Sequence, residues 1–389
     1  MHKQVLSSYM NISIGFILLL TTSTASSFNV APLAHILQEH PEIGYMPCLG
    51  NVYFNIPEFP PAPLFPHEGY FKECFILNIP HGKVQSQFGF VLIEDQFIKE
   101  MIWADQPHLL SNIVPINEES IHKIPGRVAV IAQYVYNSYC HWIGEVLGRL
   151  ALLEMHGIEY DWLYIDAYSN YMKETLELWG VDTRKIIAPR SLDYCIQADE
   201  LIVPSMVINM NFGFKNHIGL LLHPTLANYV RNKLLEAAQK HEASIPLSKK
   251  VFASRSDAPM RKIKNEDEIF KIFEAKGFER YKLSTLSMID QILLFNNADV
   301  VVSEHGAGLT NILFCKPGTQ VIEIFQLLVD SAFWFISENF GLKYTAIQTS
   351  NFIDTYKYNW QRNIHHYMTA FQSCAEVPLE PIKKVIEQL

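Results

Sequence analysis

Hydrophobic and polar positions follow two different rhythms along the chain. Between Glu73 and Trp103, short β-like runs (Glu73–Ile79, Phe88–Ile93 and Phe97–Trp103) are separated by turn residues such as His81-Gly82, which predicts a small antiparallel meander. From about Arg127 the rhythm changes. Val128–Tyr134 has the apolar character of a buried strand, and Cys140–Met155 carries helical spacing. Strand-like Trp162–Ile165, helix-like Tyr171–Trp179 and strand-like Lys185–Ala188 and Glu200–Val203 continue the alternation. Pro224 opens a predicted helix to about Lys240, proline being suited to a first helical turn, and Glu242–Leu247 reads as a linker. A second series follows: strand Lys250–Ala253, helix Glu266–Lys276, strand Arg280–Leu283, helix Met288–Phe295 and strand Asp299–Ser303. It closes with helix Leu309–Phe314, strand Gln320–Phe325, helix Ser331–Asn339 and strand Tyr344–Ile347. Asn265 with Glu268 three residues on fits a capping box. The whole predicts an α/β protein with two Rossmann-like domains facing across a cleft, preceded by the meander.

The two ends read differently. Residues 1–27 have the order of a secretory signal, with Lys3, the apolar run Ile12–Leu20, and Ser23-Thr24-Ala25 before a cleavage point. As a helix the eleven residues from Ile12 to Thr22 reach about 16 Å, short of a hydrocarbon core of roughly 30 Å, so a full membrane anchor is the weaker expectation. A signal or short anchor places the protein in a secretory lumen or at a membrane; without that role the segment leaves it cytoplasmic. Pro41 to Pro66, with Phe59-Pro60-Pro61-Ala62-Pro63, predicts an extended surface arm. The expected domains are 28–245 on the acceptor side and 246–350 on the nucleotide-sugar side, with 351–389 packing back on the body.

Composition narrows the function. The chain has 389 residues, 49% apolar and 18% charged, which excludes a disordered or fibrous protein. A formal charge of −9 argues against nucleic acid as a partner. The average hides a basic window. Lys249, Lys250, Arg255, Arg261, Lys262 and Lys264 stand against Asp257 alone, six cations to one acid, so the window is +5 and the remainder −14. Six cysteines permit disulfides in an oxidising lumen, but their spacing suggests no metal site.

Three stretches carry chemistry. In Asp299–Asn311 a buried strand runs into Gly306-Ala307-Gly308 and a predicted amphipathic helix, whose free N–H groups suit a pyrophosphate. Asn311 breaks the dinucleotide fingerprint G-x-G-x-x-G. Arg255 follows a strand on the same side of the sheet, where open α/β sheets bind ligands and a guanidinium pairs with phosphate. In Asn137–Arg149, Trp142, Ile143, Val146, Leu147 and Leu150 form an apolar stripe. His141, Glu145 and Arg149 fall on another face as a charged row, read either as surface i,i+4 pairs or as a site.

Together these stretches resemble glycosyltransferase family 61, which includes plant xylan arabinosyl- and xylosyltransferases and animal O-linked N-acetylglucosaminyltransferases. The resemblance rests on Tyr139–Arg149, on Ser254-Arg255 with Arg261, and on Ser303–Asn311 continuing through Phe314, Pro317-Gly318 and Val321-Ile322-Glu323. Gly148 stands where a proline is common in the family, and Cys140 is inserted before His141. The resemblance implies a GT-B-like fold, a nucleotide-sugar donor, a glycan or glycoprotein acceptor, and inversion at the anomeric carbon. Such a reaction needs a base and positive charge for the departing diphosphate. His141 is the expected base, oriented by Glu145, with Asp166 as the runner-up. Donor binding is expected from Ser254, Arg255, Arg261, His305, Gly306, Ala307, Gly308, Leu309, Thr310 and Asn311, with Glu323 on the ribose hydroxyls. The chain has no Asp-x-Asp motif, so no obligatory metal or other cofactor is expected. An α/β-hydrolase is excluded because no G-x-S-x-G elbow exists. A non-catalytic relative that binds nucleotide sugar or carbohydrate is the alternative.

Overall fold

The computed structural model describes residues 28–55, 68–103, 109–110, 113–209, 221–326, 330–347 and 374–388. The signal-like segment 1–27, the run Phe59–Pro63 and residues 351–373 lie outside the described residues. The protein is α/β.

The first half is built on one large mixed sheet. Its early elements are β1 (Asn29–Ala31), α1 (Leu33–Glu39), β2 (Gly44–Leu49) and the paired strands β3 (Val52–Asn55) and β4 (Glu68–Phe71). Then come β5 (Cys74–Pro80), β6 (Lys83–Gln85), β7 (Phe90–Ile93), β8 (Gln96–Ile98), β9 (His122–Val130) and helix α2 over 139–155. They are followed by β10 (Trp162–Tyr164), α3 (Asn170–Trp179), β11 (Ile186–Ile187) and β12 (Cys195–Pro204). The sheet runs β1-β8-β7-β6-β12-β9-β10-β11, with β5 and β2 extending from β12. The three runs expected as a meander become β5, β7 and β8, but they form no separate layer: β7 pairs antiparallel with β8, whereas β5 pairs with β12 and β2. The unforeseen β6 joins β7 to β12, and β12 pairs parallel with β9. Likewise the arm begins as an edge strand, β2, where Pro47 lacks a donor at little cost to the ladder.

After a short pair β13 (Ile208–Asn209) and β14 (Leu221–Leu222), helix α4 (Pro224–Ala238) carries Pro224 in its first turn and packs on both halves. The second half contains β15 (Lys250–Ser254), α5 (Glu266–Glu274), β16 (Glu279–Lys282), α6 (Met288–Asn297), β17 (Val300–Glu304), β18 (Gln320–Ile324), α7 (Ala332–Asn339), β19 (Lys343–Ile347) and α8 (Leu379–Ile386). All five strands are parallel, in the order β16-β15-β17-β18-β19. Side chains alternate between two cores, which explains the continuous apolar runs. Val251, Ala253, Val301 and Val321 join the core shared with the first half. Phe252, Val302 and Ile322 face a second core closed by α5 and α8.

Two local expectations fail for physical reasons. Asn265 does not cap α5; its amide pairs with both the N–H and the C=O of Val377, tying down the chain before α8. The segment after the glycines is a 3-10 helix, Ala307–Phe314, not an amphipathic α-helix, because Leu309 to Phe314 are buried all round. All six cysteines are free thiols. No helix among the described residues is long and apolar enough to cross a membrane.

Candidate functional site

Within the second sheet the chain order reverses between β15 and β17, the switch point where α/β sheets hold ligands beyond the strand carboxyl ends. A cavity of about 700 Å³ opens there. Tyr139, Ser169, Tyr171 and Glu174 line it from the first half, with Ser254, Arg255, Gln291 and Gly308 among those from the second.

Several residues expected to bind the donor sit at these strand ends. Ser254 Oγ donates to Glu266 Oε1 at 2.6 Å and Arg255 N–H donates to Glu266 Oε2 at 3.0 Å, so the first residue of α5 clamps the loop. The Arg255 guanidinium lies directly across Gly306, where a Cβ would come within 2.1 Å of Nη1. Only a residue without a side chain permits that approach. Arg255 Nε has no hydrogen-bond partner. Burial pulls the guanidinium below its ordinary range, with Glu304 opposing. Arg261 adopts a left-handed backbone, φ 55°, and its charge acts on Glu304, His305 and Asp330.

The basic window itself is split. Lys249 and Lys250 sit at the amino end of β15, bonded to the carbonyls of Asn297 and Lys276, so they face away from the cavity. Arg255 lines the cavity at the strand carboxyl ends, and the charge of Arg261 acts on Glu304 and His305 there.

Beneath the turn, His305 Nδ1 and Glu323 Oε1 are 2.5 Å apart, and the Tyr344 hydroxyl donates to the other Glu323 oxygen. Burial pushes the Glu323 carboxyl up and the His305 imidazole down, so the pair is held net neutral. Glu323, expected on the ribose hydroxyls, is fully buried with its oxygens engaged by His305 and Tyr344, and it is not among the residues lining the cavity. Leu309, Thr310 and Asn311 also point into the core, leaving Gly308 at the cavity wall and Ala307 half-buried beside it. Glu304 accepts from Ile263 N–H at 3.1 Å and from the Gln326 amide, and burial pushes its carboxyl up to about 8.

Across the cleft, α2 contains a π-helical turn, Trp142–Val146, a feature common at functional sites. A Cβ on Gly144 would meet Leu222 at 2.1 Å, so glycine lets this turn pack closely. The row His141, Glu145, Arg149 is not a surface row. Glu145 is 1% exposed and Arg149 0%. Arg149 donates to the carbonyls of Ala132 and Pro204, and burial pulls it to about 9 while Glu145 opposes the shift. Glu145 accepts from Trp103 Nε1 at 2.9 Å and Gln133 Nε2 at 2.5 Å, and contacts His141 Nδ1. His141 is 21% exposed with its Nδ1 held by Glu145, and it is not itself part of the cavity wall, which α2 reaches through Tyr139. Asp166 is buried, accepts from the Tyr136 hydroxyl at 3.3 Å, and is not part of the cavity wall.

Sequence reading missed Trp103 and Gln133, which hold Glu145, and Asp330, which accepts from Ala332 N–H at 2.7 Å. Burial pushes Asp330 up to about 6 against the opposing charges of Arg261 and His141, so one carboxyl feels both sides of the cleft. Trp103 and Gln133 lie in the strand-like runs Phe97–Trp103 and Val128–Tyr134, which say nothing of a contact with Glu145; the position of Asp330 ahead of a helix was the available signal.

The family model described as Glycosyltransferase 61 matches residues 139–322, the stretch from α2 to β18. A mouse EGF domain-specific O-linked N-acetylglucosamine transferase is 30% identical over 90 residues, 22% of this chain and 17% of that protein. A β-1,2-xylosyltransferase of Arabidopsis thaliana is 36% identical over 70 residues, 18% of this chain and 13% of that protein. The Xenopus laevis O-linked N-acetylglucosamine transferase is 34% identical over 71 residues, 17% of this chain and 14% of that protein. The chain thus spans less than a fifth of the length of the curated relatives it matches. Through the segment that contributes to both walls of this cleft, the chain is similar to the glycosyltransferase 61 family.

Proposed function

We propose that the chain is an inverting glycosyltransferase that moves a sugar from a nucleotide-sugar donor to a hydroxyl of a glycan or protein acceptor. Its halves act as two Rossmann-like domains in a GT-B-like arrangement, a reading supported by the five-stranded parallel sheet of the second half and the parallel β12-β9-β10-β11 set of the first. The acceptor oxygen attacks the anomeric carbon as its proton passes to His141, held in place by Glu145. The bond from that carbon to the diphosphate oxygen breaks. Arg255, Arg261 and the first N–H groups of the glycine turn, which lack intrahelical partners, take up the negative charge. Glu323 contributes by fixing His305 beneath the turn. These cations make a divalent metal dispensable in this account.

The observation that carries the reading is the cavity itself, lined by Ser254, Arg255 and Gly308 from the second half and by Tyr139, two residues before His141, from the first; the charges of Arg261 and His141 both acting on Asp330 support it. A thermal-shift panel of nucleotide sugars tests it, since a ligand that binds only the folded state raises the melting temperature. The account expects one nucleotide class to shift the protein and Arg255→Ala to abolish the shift. Binding without any turnover would favour a non-catalytic relative. The signal-like segment supports a secretory location, checked by sequencing the mature amino terminus.

A further inference from the structure

A side-chain bond crosses the floor of the cleft. The Tyr139 hydroxyl, at the start of α2, donates to Asn311 Oδ1 at 2.7 Å, with Met288 Sδ at 3.6 Å as a weak alternative acceptor. The Asn311 amide donates onward to Gln291 Oε1 at 3.0 Å and to the Gly308 carbonyl at 3.1 Å. Gln291 in turn donates to the carbonyls of Leu283 and Leu286, which line the same cavity. Asn311 is fully buried and spends every polar atom within this relay. Two residues beyond Tyr139 stands His141; three residues before Asn311 stands Gly308. Burial pushes the Tyr139 phenol above its ordinary range, so it remains a donor.

We propose that Tyr139 is a positioning residue: through Asn311 its hydroxyl sets the His141 end of α2 against the glycine turn. The inference rests on the transferase reading above. The Tyr139 ring packs edge-on against Tyr171, centroids 5.2 Å apart, a contact that phenylalanine would keep. Losing the hydroxyl therefore leaves the packing intact and frees the register between base and donor turn. A misplacement of about 1 Å is enough to cost on the order of 100-fold in rate.

The test compares wild type, Tyr139→Phe, Asn311→Ala and the double variant, reading kcat and donor KM from nucleoside-diphosphate release, with melting in inorganic pyrophosphate as the check on fold and anion site. The expected result for Tyr139→Phe is a fall in kcat of at least about tenfold, in line with a sub-ångström shift, a donor KM essentially unchanged, and a pyrophosphate shift equal to wild type. The double variant should lose no more than the worse single. A wild-type kcat in Tyr139→Phe, a loss confined to KM, or losses that multiply in the double variant would each overturn the bridge. If Asn311→Ala does not fold, Gln291→Leu cuts the relay one bond further back and should lower kcat without changing KM. A wild type inactive on every donor would instead overturn the transferase reading itself.

Discussion

Gly306→Ala isolates the close approach of Arg255 to the glycine turn. The Gly306 backbone is extended, φ 166°, so alanine adds no backbone strain. Its Cβ would stand 2.1 Å from Nη1, 2.3 Å from Cζ and 2.8 Å from Nε of Arg255. Ordinary contact begins near 3.4 Å, so the guanidinium must withdraw by about 1.3 Å, the difference between 3.4 and 2.1 Å. The side chain is flexible enough to do so, but the move breaks the 3.3 Å bond from Nη2 to the Met260 carbonyl and carries the charge off the turn. A charged hydrogen bond is worth about 1.5–3 kcal/mol. Loss of one such interaction with the leaving group lowers kcat/KM by about 10- to 100-fold. The melting temperature should stay within a few degrees of wild type. Steady-state nucleoside-diphosphate release and a pyrophosphate thermal shift measure the two effects. Full kcat/KM in a folded Gly306→Ala protein would refute the assignment of Arg255. So would an added loss when Gly306→Ala is placed on Arg255→Ala, where no guanidinium remains to displace.

Three further outcomes follow from the geometry. His141→Ala should lower kcat by about 100-fold or more while donor binding persists, as expected for a general base; an equal loss of donor binding would show a different role. Glu304, with its carboxyl raised to about 8, binds more protons folded than unfolded, so its contribution to stability falls as pH rises from about 4.5 through 8. Denaturant melts should show wild type losing a few kcal/mol across that window relative to Glu304→Gln, and parallel curves would contradict the shift. Arg149→Leu leaves the Ala132 and Pro204 carbonyls without their donor in the core, costing about 2–5 kcal/mol, and should lower the melting temperature on the order of 10 °C; an unchanged midpoint would mean that water replaces the guanidinium.

The second half was the more legible part of this protein. Its strands and glycine turn are local signals, and each predicted element from Lys250 to Ile347 appears within a few residues of its expected ends, the stretch after Gly308 as a 3-10 helix. What failed there failed through tertiary context: Asn265 found a better partner in Val377 than in its own helix. In the first half, helical spacing placed His141, Glu145 and Arg149 in one row but carried no information about what covers that row. Trp103, Gln133 and the ends of β9 and β12 bury it, and they are distant in sequence. Charge counting likewise grouped Lys249 with Arg255, although a strand carries the two to opposite ends of the sheet. Asp330 escaped notice because its significance arises only where both halves meet.

The central claim is that a base from the first half and cations from the second act on one bound nucleotide sugar. Its most direct measurement is NMR of the sugar product formed in the presence of a chelator, reading the anomeric configuration. The account predicts transfer with inversion that persists without metal and is lost in both His141→Ala and Arg255→Ala. Retained configuration, or turnover restored only by a divalent cation, would contradict it.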